Sequence, residues 1–169
     1  EHAVHLFLVL LVALLPDDAN VGLLEFSGSC KWIVPIGRLN RNFVNGRIGN
    51  MGAGGGTAIG DALFAASEGL AEHKARMGPK AAGATFQIVL LSDGANGGGR
   101  NPADVIVEVS RTGQRLDVIG VEFQDNGIKA ALEASGFKNG YHEVVQVDRL
   151  FATIKQILKL ETINVGSGG

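Results

Sequence analysis

Two glycine-rich loops carry oxygen-bearing side chains at positions where they could bind a cation. Thr57 follows a run of glycines, and Asp93 follows a continuous apolar run at residues 86–91. Hydroxyl and carboxylate oxygens are ligands that hard divalent cations such as Mg²⁺ prefer. Thr57 and Asp93 are therefore the side chains of these loops that could carry chemistry. The neighbouring residues of the two loops complete the candidate site, namely Gly54, Gly55, Gly56, Ser92 and Gly94.

Both candidate ligands also have ordinary structural explanations. Thr57 precedes a strongly periodic helical segment, where a threonine commonly caps the helix N-terminus. Asp93 precedes Gly94, and aspartate before glycine is typical of a turn. The residue types alone do not separate these explanations from metal binding.

Catalytic motifs are not recognisable in the chain. The glycine cluster departs from the dinucleotide-binding pattern because Thr57 stands where the last glycine should be. The four histidines are scattered without metal-ligand spacing. Asp61 and Glu68 share one helix, where a solvent face or a capping network explains them better than acid–base catalysis. We therefore expect a binding protein and not an enzyme.

Composition and charge narrow the classes of partner. The chain has 169 residues, a formal net charge of −2, 46% hydrophobic and 19% charged residues. This is typical of one globular domain without the basic field that nucleic-acid binding requires. The apolar run at residues 3–15 is too short to span a bilayer, and no basic residue precedes it, so a buried helix is expected. The single cysteine, Cys30, does not indicate in which cellular compartment the protein works. We slightly favour the cytoplasm.

Helical and strand patterns alternate along the chain. Apolar periodicity predicts helices at residues 3–15, 39–49, 57–77, 103–111, 128–135 and 150–160. Strands are predicted at residues 21–26, 31–36, 86–91, 116–123 and 141–147. This alternation predicts a Rossmann-like, doubly wound α/β fold with a mostly parallel sheet and helices on both faces. Pro35 places the strand at 31–36 at the antiparallel edge.

The two candidate loops share one edge in such a sheet. Ligands of open α/β sheets bind beyond the carboxyl ends of the parallel strands. We therefore expect Thr57 and Asp93 to converge there, within roughly 7 Å between their oxygens, a distance that a cation and one water can bridge.

At these two loops the sequence resembles a known family. Gly-Gly-Gly-Thr-Ala-Ile-Gly-Asp-Ala-Leu and Val-Leu-Leu-Ser-Asp-Gly resemble the second and third parts of the metal-ion-dependent adhesion site of von Willebrand factor A domains. The resemblance implies that residues 1–160 form one such domain. It also implies that Thr57 binds Mg²⁺ or Mn²⁺ directly and that Asp93 reaches the ion through water.

One part of the family pattern is missing. Its first motif, an Asp-x-Ser-x-Ser loop, lies between the first strand and the first helix, and this sequence begins with the helix. Without those serines and that carboxylate, too few oxygens are left to hold Mg²⁺ tightly. We expect a degenerate site and weak or absent divalent binding.

The missing first strand would be central in the sheet. Its absence predicts a slot between the strands at 21–26 and 86–91, where backbone groups would lack partners. Residues 161–165 have β-branched side chains suited to fill the slot, and a strand donated by another chain is a second solution. Alternatively, the tail at residues 161–169 is only a linker.

The resemblance predicts a protein–protein interaction module that binds an acidic group of its partner at the carboxyl edge of the sheet, with or without a metal. The alternative is a metal-independent scaffold or assembly subunit, similar to related domains that work beside AAA+ ATPases. A divalent-cation titration separates the two.

Overall fold

The computed structural model describes residues 2–27, 29–51, 58–92, 96–121, 124–144 and 146–159. It contains six α-helices in this part of the chain, which are α1 (His2–Leu14), α2 (Arg41–Gly49), α3 (Ile59–Met77), α4 (Pro102–Ser110), α5 (Asn126–Ala134) and α6 (Leu150–Leu158). The strands are β1 (Asn20–Ser27), β2 (Ser29–Arg38), β3 (Gln87–Ser92), β4 (Arg115–Val121) and β5 (Tyr141–Val144). Every helix and strand expected from the sequence is present, with ends that differ by a few residues.

Three strands form a parallel sheet in the order β3-β4-β5. Gln87 pairs with Arg115 at the start of β3, and Ser92 pairs with Gly120 at its end. Side chains along these strands alternate between two cores. Leu116 and Val118 of β4 join one core, whereas Ile119 and Val121 join the other. The prediction of a parallel sheet that is buried on both faces is therefore confirmed.

Helices cover the two faces of this sheet. On one face α3 contacts α4, and α4 contacts α5; on the other, α1 contacts both α2 and α6. Three helices begin with a side-chain cap, since Asn40, Asn101 and Asp125 each accept a hydrogen bond from a backbone N–H in the first turn. None of the described helices combines the length and apolar character needed to cross a membrane.

The other two strands form an antiparallel hairpin. Pro35 lies where the register shifts, between the pairs Leu23–Val34 and Val21–Gly37. Because proline has no N–H to donate, this irregular position costs no ladder hydrogen bond. Within the described residues β2 pairs only with β1, which agrees with the predicted edge position.

The hairpin and the parallel sheet are not joined by a backbone ladder in the part of the chain that the structure describes. A cavity of about 810 Å³ lies between them, bordered by β1 on one side and β3 on the other. This is the place of the slot expected from the sequence. The segment 161–165, predicted as one of its fillings, lies outside the described residues.

Polar side chains connect the starting ends of the parallel strands. Asp117 of β4 accepts a hydrogen bond from Gln87 Nε2 at 2.7 Å, and its other carboxylate oxygen lies 2.9 Å from His142 Nε2. Gln87 Nε2 and Arg115 Nη2 also donate to the carbonyl oxygen of Ile157, at 3.3 and 3.1 Å. The end of α6 is thereby fixed beside the beginnings of β3 and β4.

Candidate ligand edge of the parallel sheet

Ser92 is the described residue of the predicted ligand edge. It ends β3, where it is 8% exposed, and it pairs with Gly120 of β4. The remaining predicted site residues lie outside the described part of the chain; they are Gly54, Gly55, Gly56, Thr57, Asp93 and Gly94. The convergence of Thr57 and Asp93 therefore stays a prediction. The described residues that flank these two loops nevertheless show how the edge is built.

A cluster that we call the edge clamp holds the loop after β3 against the start of α3. Ile59 N–H donates to Asn96 Oδ1 at 3.0 Å, and Asp61 Oδ1 accepts from the backbone N–H of Arg100 at 3.0 Å. The residue before the helix, Ala58, offers no side-chain cap. Asn96 therefore caps α3 from a distant loop, and this contact joins the segments that follow Thr57 and Asp93.

Two glycines allow the loop and the helix to approach closely. A Cβ at Gly60 would overlap the carbonyl oxygen of Arg100, and a Cβ at Gly99 would overlap the carboxylate of Asp61. Gly99 also has φ +75°, a conformation that residues with a side chain rarely adopt. Both positions of the edge clamp thus require glycine for steric reasons.

Arg100 presents a positive charge at this edge. Its guanidinium carbon lies 3.8 Å from the centre of the Phe64 ring, a cation–π arrangement, and its Nη1 lies 3.4 Å from Asp61 Oδ1. The side chain is 53% exposed. The guanidinium is therefore held in position while much of its surface faces solvent, where it can meet an anionic group.

The Cys30 thiol lies within the electrostatic influence of the edge clamp. Burial raises its pKa above the ordinary value, the Asp61 carboxylate raises it further, and Arg100 opposes them. A raised pKa keeps the thiol protonated and weakens its reactivity. Cys30 is therefore a packing residue at this edge and not an activated nucleophile.

The described side chains do not complete a metal site. Within the described ranges there is no group of three or more His, Cys, Asp or Glu residues that could hold an ion. Asp61 is the described carboxylate nearest to Thr57 in sequence, and it is engaged with Arg100.

Comparison with protein-family models identifies the family of this domain. The model of the von Willebrand factor type A domain matches residues 2–160. The chain belongs to the von Willebrand factor type A family. Domains of this family are protein-interaction and adhesion modules, and some members carry a metal-ion-dependent adhesion site.

Solved structures show the same fold at low sequence identity. Proximal thread matrix protein 1 of the mussel byssus has a TM-score of 0.76 and 20% identity over 95% of this chain and 42% of its own. The present chain thus spans less than half of that protein. An aerotolerance-related membrane protein of Bacteroides fragilis has a TM-score of 0.71 and 19% identity, over 94% of this chain and 86% of its own. No curated protein sequence matches the chain significantly.

Some of the structures similar to this von Willebrand factor A domain contain a bound metal. The mussel protein has also been solved with a zinc-occupied adhesion motif, at a TM-score of 0.74 and 18% identity over 95% of this chain and 42% of that one. The manganese-loaded TRAP protein of Plasmodium vivax has a TM-score of 0.69 and 17% identity, over 90% of this chain and 64% of its own. A divalent metal is therefore compatible with the fold.

Proposed function

We propose that the chain is a protein-interaction module that binds an acidic group of its partner at the carboxyl edge of the parallel sheet, with a degenerate metal site. The observation that carries the proposal is the edge clamp, which fixes the loop after β3 onto α3 and holds Arg100 at this edge. An adhesion site binds an acidic partner group through its metal. Here the guanidinium of Arg100 supplies the positive charge.

Arg100 is suited to this role by its chemistry and position. A guanidinium presents several donors in a plane and forms two parallel hydrogen bonds with a carboxylate. Stacking on Phe64 orients it before a partner arrives, so that less conformational entropy is lost on binding. Its bond to Asp61 at 3.4 Å is long, so a partner carboxylate competes with it readily.

Calorimetric titration with Mg²⁺ and with Mn²⁺ tests the degenerate metal site. We expect no binding in the micromolar range, because the two oxygens of Thr57 and Asp93 do not offset the loss of hydration of the ion. Asp93→Ala serves as the matched variant and should titrate like the original chain. Micromolar affinity that disappears in Asp93→Ala would show that the adhesion site is complete and that the proposal is wrong.

A charge-reversal pair tests the role of Arg100. Arg100→Glu should abolish retention of partner proteins on the immobilised chain in the presence of a chelator, because the charge at the edge changes sign. Arg111→Glu is the control, since Arg111 is exposed at the other end of α4 and changes the net charge equally. Equal loss in both variants would indicate a non-specific charge effect, and loss in neither would place the partner site elsewhere.

One observation favours the alternative of a scaffold or assembly subunit. Leu6 and Val9 of α1 are each 40% exposed, and their spacing of three residues places them on one face of the helix. Phe43 of α2 and Phe151 of α6 are about half exposed, on helices that contact α1. A partner that covered this helical layer would bind without using the ligand edge, and the Arg100→Glu variant would keep its binding.

A further inference from the structure

Positive charge is concentrated at the edge of the parallel sheet where its strands begin. Residues 74–87, 107–115 and 131–141 each run from the last turn of a helix to the first residue of the next parallel strand. Residues 155–159 end α6, which the bonds to the Ile157 carbonyl hold beside the same strand starts. We call these four segments together the basic edge.

The charge of the basic edge is opposite in sign to that of the whole chain. The four segments contain eight of the fifteen Lys and Arg residues but only two of the seventeen Asp and Glu residues, Glu108 and Glu133. They therefore carry a surplus of six positive charges in a chain whose formal net charge is −2. The rest of the chain has a surplus of negative charge.

Most cations of the basic edge face solvent. Two of the eight are partly buried and engaged, since Arg115 donates to the Ile157 carbonyl and Lys155 lies over the Phe151 ring. Within the described residues none of the eight forms a salt bridge. The other six are exposed, namely Lys74, Arg76, Lys80, Arg111, Lys138 and Lys159.

Helix dipoles explain only part of this charge. The C-termini of α3, α4, α5 and α6 lie at the basic edge, and cations near a helix C-terminus are stabilising. Each helix end is equivalent to about half a negative charge, so four ends offset about two of the six positive charges. A net positive field is therefore left at this edge for an anionic partner.

The surroundings of the cations favour a membrane over a nucleic acid. The longest connection exposes small residues around Lys80, among them Pro79, Ala82 and Ala84. Proteins that bind nucleic acids without reading their sequence commonly stack bases on exposed aromatic side chains. The aromatic side chains of the basic edge are partly buried, with Phe86 beneath Lys74 and two others against a core cluster. Cations spread over several connections suit the headgroup layer of a bilayer with anionic lipids.

We propose that the basic edge docks peripherally on a membrane that contains anionic lipids. The loops of the ligand edge follow the opposite ends of the same strands, so docking turns that edge away from the membrane and toward a partner. The negative charge on the rest of the chain is repelled by the anionic surface, which reinforces this orientation. Docking does not require the binding site at Arg100.

Flotation with lipid vesicles tests the docking. The chain should float with vesicles of equal parts phosphatidylcholine and phosphatidylglycerol and should stay behind with pure phosphatidylcholine. Added salt should release it, because the contact is between charges that salt screens. Failure to float with the anionic vesicles would overturn the proposal. Binding of single-stranded DNA without vesicle binding would assign the basic edge to a nucleic acid instead.

Two pairs of lysine substitutions identify the contact surface. Lys80→Gln with Lys138→Gln should weaken binding to the anionic vesicles about 30-fold, because each removes one charge near the lipid surface. Lys31→Gln with Lys129→Gln is the matched control, since both lysines are exposed outside the basic edge and the net charge changes equally. The control should bind like the original chain. Equal weakening in both pairs would show a non-specific charge effect and would contradict the proposed surface.

Hydrogen exchange in the presence of the anionic vesicles tests the orientation. Amides of residues 80–86 and 135–140 should exchange more slowly than in free protein, whereas those of residues 96–100 at the ligand edge should not change. Slower exchange at residues 96–100 alone would place the membrane contact at the ligand edge, and the proposed orientation would be wrong.

Discussion

Asn96 and Asp61 are single side chains that hold a loop and a helix together. The first N–H groups of an α-helix have no partners within the helix, and α3 is not capped by the residue before it. Asn96 supplies one acceptor from the loop after β3, and Asp61 returns an acceptor to that loop. Each side chain satisfies a backbone group of the other segment, which holds residues 96–100 against the start of α3.

Gly60 gives a prediction at this scale. Gly60→Ala should lower the free energy of unfolding by about 1–3 kcal/mol, because the added methyl group collides with the backbone of Arg100 and displaces the edge clamp. Gly46→Ala is the control, since a Cβ there meets nothing within 4 Å. In the middle of α2, the control should gain roughly 0.5–1 kcal/mol. Urea unfolding of both variants measures the difference, and an equal gain in both would show that the loop does not pack on Gly60 as described.

At the scale of elements, the sequence predicts this protein well. The run at residues 86–91 predicts a strand buried on both faces, and β3 occupies Gln87–Ser92 with side chains in both cores. The helix predicted from Thr57 begins at Ile59, and the distant side chain of Asn96 accepts a hydrogen bond from its first N–H. Periodicity reports which face of an element is buried, so it predicts the type of element better than its ends.

The candidate site is harder to predict from the sequence than the helices and strands are. Asn96 belongs to a short polar and glycine-rich segment that reads as an ordinary loop, and its role depends on Ile59, which is 37 positions away. The sequence predicts that Asp61 belongs to a solvent face or a capping network, and in the structure its carboxylate accepts a hydrogen bond from the backbone N–H of Arg100. Contacts between distant segments leave no periodic signal, and so they are visible only once the chain is folded. The proposed roles of Thr57 and Asp93 still rest on the family motif.

At the scale of the whole molecule, α3 connects the two sheets. It contacts β1 and β2 as well as β3. Trp32 of β2 packs against Gly69 so closely that a Cβ there would lie 2.5 Å from the indole ring. The parallel sheet has a larger buried share, because six of the seven residues of β4 are buried. The hairpin is therefore attached to a more strongly packed unit through α3 on one side and through a small core that it shares with α1 and α2 on the other.

This asymmetry predicts the order in which the molecule opens. Amides of β4 should exchange most slowly, at the rate of global unfolding, because both edges of β4 are paired and its side chains lie in two cores. Amides of β2 should exchange faster and with a weaker dependence on denaturant, since opening the hairpin exposes less surface than unfolding the domain. Native-state hydrogen exchange at increasing denaturant concentration separates the two processes. Slow exchange of β2 with the same denaturant dependence as β4 would show instead that the hairpin and the parallel sheet unfold as one cooperative unit, which would require contacts across the cavity as extensive as those within the sheet.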